Sequence, residues 1–188
     1  MQSYASRQRE LLNQLINFSW TILCFLPVIS FWWQLGPNAC LWIFIGIAII
    51  FGLLPRKLLH RFQFSHRKQF YEKLGVKLVR RVVQNGDLVN SSPGHRRTIR
   101  SHETARVYLN TIAMYERFHW LCLVFFSLTM IYAICVADVW LALAILVANV
   151  VYNFCPLLLQ QYNRIRIERV LQLGVSRNEL PSNCSPAS

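Results

Sequence analysis

The chain has 188 residues, 54 % of them hydrophobic, a mean hydropathy of +0.32 and a formal net charge of +12. That balance excludes an ordinary water-soluble domain, which needs far more polar surface. It also speaks against nucleic acid as the partner, because the basic residues all flank apolar segments, where anionic lipid headgroups attract them.

Four apolar segments are predicted, at about 16–35, 39–54, 119–137 and 139–160. An apolar helix of about 20 residues spans a bilayer core. Segments one, three and four approach that length, and segment two is shorter. The first segment reads as a span and not as a cleavable signal, since it is long and no small-residue cleavage site follows it. Arg7 and Arg9 precede it. The link Gln34-Leu35-Gly36-Pro37-Asn38 is of turn type and carries no Lys or Arg. Its counterpart between segments three and four, at Val136-Ala137-Asp138, carries none either.

Between segments two and three lie fourteen of the twenty basic residues. Arg164, Arg166, Arg169 and Arg177 follow segment four. Lys and Arg mark the cytoplasmic loops of membrane proteins, so both termini and the central stretch are expected in the cytoplasm, at a bacterial inner membrane. The six tryptophans are expected as anchors at the two water–lipid boundaries.

Within the central stretch, His66 to Gln84 has helical periodicity. Phe70, Leu74, Leu78 and Val82 recur every four residues, and Lys68, Lys73, Lys77, Arg80 and Arg81 fill other positions. This predicts one cationic amphipathic helix, lying in the interface or packed on its own bundle. Asn85-Gly86-Asp87 suits its C-terminal stop. A second helix is predicted from Ser101, a good N-cap, running without a break into segment three. The fold class expected is all-α: a polytopic membrane protein with four transmembrane helices in two hairpins. A cytoplasmic helical module containing the interfacial helix joins them. The divisions are 1–54 for the first hairpin, 55–118 for the module, 119–170 for the second hairpin and 171–188 for a tail.

Two features can carry chemistry. Glu116 and His119 are three residues apart at the mouth of segment three and share a helical face. A carboxylate beside an imidazole raises its basicity and orients it, as a general base requires; the bland reading is an interfacial pair facing water or arginine. The second is a polar stripe, Asn149, Asn153, Pro156, Gln160 and Asn163, spaced 4, 3, 4 and 3. Amides within a span need polar partners or a water-filled cavity. Pro156 also frees a carbonyl one turn earlier, near Tyr152. The stripe ends at Tyr162-Asn163-Arg164-Ile165-Arg166, where two arginines can bind phosphate or carboxylate or simply anchor the chain. The histidines show no metal-ligand spacing, and no metal site is expected.

Several runs together resemble a known family. They are Tyr71-Glu72-Lys73, Arg80-Arg81, Asn85-Gly86-Asp87-Leu88-Val89-Asn90, Glu116-x-x-His119-Trp120, Asn153-x-x-Pro156 and Gln160-x-Tyr162-Asn163-Arg164-x-Arg166. They are similar to the glycosyl-4,4'-diaponeurosporenoate acyltransferase family of small bacterial membrane proteins, over about residues 55–170. Gln161 stands where the pattern has a basic residue. The resemblance implies transfer of a fatty acyl group to a sugar hydroxyl of a glycosylated carotenoid, the last step to a staphyloxanthin-type pigment. On that reading His119 removes the hydroxyl proton and Glu116 orients the imidazole. Asn85, Asp87 and Asn90 bind sugar hydroxyls. Asn153, Gln160 or Asn163 donate to the oxyanion, Tyr162 lines the same site, and Arg164 and Arg166 hold a phosphate of the donor. No bound cofactor is expected; the co-substrate would be an acyl-CoA or acyl-carrier-protein thioester. The expected partners are membrane lipids and an amphiphilic lipid or carotenoid acceptor. The rival expectation is a non-catalytic membrane subunit or assembly factor that grips a partner or anionic lipid through its amphipathic helix.

Overall fold

The structure is a computed structural model and describes residues 2–82 and 102–178. All the regular secondary structure of the described residues is helical, with no strand among them. Asn85, Asp87 and Asn90, expected to bind sugar hydroxyls, lie outside the described residues.

Helix α1 runs over Gln2–Leu35 and α2 over Ala39–Gly52. Between them Gly36 takes φ +74, the left-handed conformation that glycine adopts without steric cost, and its N–H bonds the Trp32 carbonyl at 3.0 Å. Asn38 then caps α2, its side chain accepting from Leu41 N at 3.2 Å. The second hairpin repeats the device. Helix α6 covers His102–Cys135 and α7 covers Val139–Asn149, and Asp138 caps α7 by accepting from Leu141 N at 3.2 Å. A π turn, Val150–Phe154, follows α7 directly and leads into α8, Cys155–Asn178.

Among the described residues, three stretches are long and apolar enough to cross a membrane: Gln14–Leu35, Ala105–Cys135 and Val139–Arg169. A fourth exists only if Ala39–Gly52 and Arg56–Phe62, bent by 96°, count as one span. Alone, α2 has 14 residues, roughly 21 Å of helix against a core of about 30 Å. It ends at Gly52; Pro55, three residues on, disfavours helix in the residue before it and stands at the N-cap of the short helix α3, Arg56–Leu59.

Helix α6 packs against α2, α7 and α8, and α1 lies against α7. Its approach to α2 is close: a Cβ on Gly52 would sit 2.9 Å from a Leu121 methyl carbon. The main core joins Val28, Phe31, Phe126, Ala133, Ala142 and Ile145. Trp32 belongs to it as well. It is 8 % exposed, stacks on Tyr132 and donates to Thr129 Oγ1 at 3.3 Å. Trp120 is also buried, against Phe51, Phe62 and Phe64. These two are therefore core residues and not boundary anchors; a neighbouring hydroxyl or aromatic cluster satisfies them better than the interface would.

The single amphipathic helix expected over 66–84 is two helices, α4 (Lys68–Lys73) and α5 (Val76–Val82). They break at Gly75, whose φ is +76. The break re-aims the apolar residues. Tyr71 and Val76 are fully buried against Leu158, Leu159 and Tyr162 of α8. Phe70, Leu74 and Leu78, the expected stripe, remain exposed. Lys68 and Lys77 lie 3.2 and 3.7 Å from Glu72, and the Lys68 hydrogen bond holds the Glu72 carboxyl below its ordinary pKa.

Candidate functional site

A buried polar cluster forms where α6, the π turn and α8 meet. Its centre is an ion pair between Glu116 of α6 and Arg164 of α8, each 4 % exposed. Arg164 also donates from Nη2 to Gln63 Oε1 at 2.8 Å, and Gln63 donates from Nε2 to the Ser65 carbonyl at 2.7 Å. Two buried ions are tolerated only when hydrogen bonds satisfy the atoms the pair itself leaves over. Here Glu116 Oε1 and Arg164 Nε have no hydrogen-bond partner among the described residues.

Glu116 is thus bonded to Arg164 and not to His119. Three-residue spacing puts Glu116 and His119 on one face of α6, but a guanidinium offers the carboxylate a stronger, charge-assisted bond than an imidazole does. His119 turns to the π turn instead. It interacts with the Asn153 side chain and the Tyr152 backbone, and its ring centroid is 6.1 Å from that of Tyr152. Pro156 has no N–H to offer the Tyr152 carbonyl one turn before it, which leaves that oxygen open to a side chain. His119 Nδ1 and Asn153 Oδ1 make no hydrogen bond of standard geometry among the described residues. Asn153 donates from Nδ2 to Asn149 Oδ1 at 2.8 Å. Asn149 donates to the Leu123 carbonyl at 3.3 Å and to Ser127 Oγ at 3.1 Å.

The polar stripe changes face along its length. Asn149, Asn153 and Pro156 are buried, but Gln160 and Asn163 are only half-buried. In their place Leu157, Gln161 and Arg164 point inward. The cause is the π turn: i→i+5 bonding takes in one extra residue and shifts the inward register of all that follows by one. Nothing in the 4, 3, 4, 3 spacing signals that insertion.

Gln161 is the clearest gain over the sequence reading. It is 1 % exposed, and its Oε1 accepts from the Tyr71 hydroxyl at 2.9 Å and from Phe64 N at 3.3 Å. The Tyr71 hydroxyl also reaches the Ser65 carbonyl at 2.8 Å and accepts from Ser65 N at 3.1 Å. Residues 63–71 are thereby tied across the end of α8, which is what carries Gln63 to Arg164. Tyr162 donates to Glu72 at 3.2 Å. Arg166 is exposed, its guanidinium 5.5 Å from the Tyr162 ring centroid. Arg164 and Arg166 therefore do not share one site, because residues two apart on a helix do not face each other.

A family model described as glycosyl-4,4'-diaponeurosporenoate acyltransferase matches residues 55–173. That stretch holds every residue of the cluster, while α1 and α2 precede it. No curated protein and no solved structure matches the chain. The chain belongs to the glycosyl-4,4'-diaponeurosporenoate acyltransferase family.

Proposed function

We propose that this member of the glycosyl-4,4'-diaponeurosporenoate acyltransferase family moves a fatty acyl group from a thioester donor to a hydroxyl of a glycosylated carotenoid or related glycolipid. The reaction takes place at the cytoplasmic face of a bacterial inner membrane, with both termini on that side. The observation that carries this reading is a pair of buried polar atoms without partners, Glu116 Oε1 and Arg164 Nε, beside His119. Each such group costs about 1–3 kcal/mol unless something bonds it. A substrate that brings a hydroxyl and a carbonyl to the cluster would supply those bonds. The flanking apolar helices suit the rest of an amphiphile.

In this mechanism His119 takes the proton of the acceptor hydroxyl. The hydroxyl oxygen attacks the thioester carbonyl carbon, the C–O bond forms, and negative charge gathers on the carbonyl oxygen. Arg164, held by Glu116 and Gln63, is the cation available to that charge. The C–S bond then breaks and the thiolate leaves, taking its proton from the imidazolium. Gln160, Asn163 and Arg166 lie on the more exposed side of α8 and serve the donor's polar part.

The test is mass spectrometry of the pigment and lipid fraction from cells with the wild-type chain, with His119→Ala at equal membrane level, and without the chain. The acyl ester is expected only with the wild type, and His119→Ala should lower turnover by about 10²- to 10⁴-fold. Wild-type levels of ester from His119→Ala would overturn the mechanism. A second reading has one observation in its favour: Phe70, Leu74 and Leu78 stay exposed beside Lys68, Lys73 and Lys77, as a docking face of a non-catalytic subunit would. An unchanged lipid profile on removal of the chain would support it.

A further inference from the structure

We propose that Asn149 and Asn153 form a positioning relay that decides which imidazole nitrogen of His119 carries the proton; this rests on His119 being the base of the reaction above. The relay takes its direction from the Leu123 carbonyl. A carbonyl only accepts hydrogen bonds, so Asn149 must turn its NH₂ toward it, and the same NH₂ reaches Ser127 Oγ. Asn149 Oδ1 then faces the other way and accepts from Asn153 Nδ2 at 2.8 Å. Asn153 in turn must present its Oδ1, and its side chain faces His119. Flipping either amide would set an acceptor against an acceptor or a donor against a donor.

The outcome at His119 follows. Two acceptors, the Asn153 side-chain oxygen and the Tyr152 carbonyl, come from consecutive residues of the π turn. An acceptor binds only a nitrogen that bears hydrogen. The imidazole N–H is drawn to that side, and the lone pair that would take a substrate proton is turned away from it. This is the task that spacing alone gave to Glu116, performed by a neutral amide while Glu116 is engaged with Arg164. It also leaves Asn149 no N–H for the oxyanion and Asn153 only one. Asn149 spends its two protons on Leu123 and Ser127, and Asn153 gives one to Asn149.

The experiment compares full-length wild type with Asn153→Ala, Asn149→Ala and the double variant in detergent or nanodiscs. It reads kcat and KM separately and the nitrogen-15 shifts of His119. Each single variant should lower kcat by at least about tenfold with KM little changed, as a wrong tautomer does elsewhere. The double variant should be no worse than Asn153→Ala, because both act through one contact. The wild type should show one His119 tautomer, and either single variant a mixture. Losses that add in the double variant, or a single unaltered tautomer in Asn149→Ala and Asn153→Ala, would overturn the relay. If one variant fails to insert, the other breaks the same chain at a different link. The tautomer measurement needs no turnover, so a chain without acyltransferase activity could still keep or lose the relay.

Discussion

The buried Gln161 side chain accepts a hydrogen bond from the Tyr71 hydroxyl at 2.9 Å and so binds the segment before α4 to α8. Gln63 sits in that segment and accepts from Arg164 Nη2 at 2.8 Å. The order of the cluster thus depends on a contact between residues far apart in the chain.

Gln161→Leu should leave the Tyr71 hydroxyl with one acceptor fewer and Phe64 N without the acceptor it uses now. A lost partner for a buried polar group costs about 1–3 kcal/mol. Thermal unfolding in detergent should show that drop, and Tyr71→Phe, which also takes from Ser65 N its acceptor, should cost at least as much. Equal stability of Gln161→Leu and wild type would contradict this role.

Glu116→Ala or Arg164→Ala alone strands a buried charge. Removing one partner of such a pair costs about 3–5 kcal/mol. Replacing both by apolar residues of similar volume, Glu116→Leu with Arg164→Met, should restore most of the stability and none of the acyl transfer. The paired readout separates folding from chemistry: recovery of the melting temperature without recovery of product is the expected result.

Pro156→Ala returns an N–H that can bond the Tyr152 carbonyl. Helix stability should hold or rise, since proline inside a helix costs about 3 kcal/mol. Acyl transfer should fall, because His119 would have to compete for the carbonyl it now uses. A variant that is more stable and equally active would show that the open carbonyl plays no part.

Gly75→Ala places a side chain at φ +76, with no other atom within 4 Å of the new Cβ. The cost is therefore conformational, about 1–2 kcal/mol. It should appear as faster hydrogen exchange over 68–82 before any global change, since α4 and α5 are held to α8 through Tyr71 and Val76. Uniform exchange across the bundle would argue that the turn is not the weak point.

Acid should loosen the same region. The Glu72 carboxyl has its pKa lowered, first by the Lys68 hydrogen bond, and also bonds Tyr162. Its contribution is present above the unfolded carboxylate value and is lost as pH falls through the lowered folded value. Glu72→Gln should flatten that acid dependence in a pH series of melting temperatures.

Much of the molecule was legible in one dimension. The long apolar runs define the spanning stretches because a bilayer core has no water to satisfy a broken backbone. Gly36, Asn38 and Asp138 punctuate the hairpins by local chemistry alone. The position of His119 beside an acid, the asparagines of α7 and the π turn, and the carbonyl before Pro156 could all be read from spacing. Partner choice could not. Whether Glu116 meets His119 or Arg164 depends on where α8 lies against α6, and the one-residue shift at Val150–Phe154 moves Arg164 and Gln161 inward while Gln160 and Asn163 turn outward. Gln63 and Tyr71 join the cluster only because Gly75 breaks the helix and lets Tyr71 and Val76 pack on α8. Helical periodicity is set by neighbours three and four residues away; the charge and hydrogen-bond partners of this cluster are set by contacts between residues up to about a hundred positions apart, which only the packed bundle brings together.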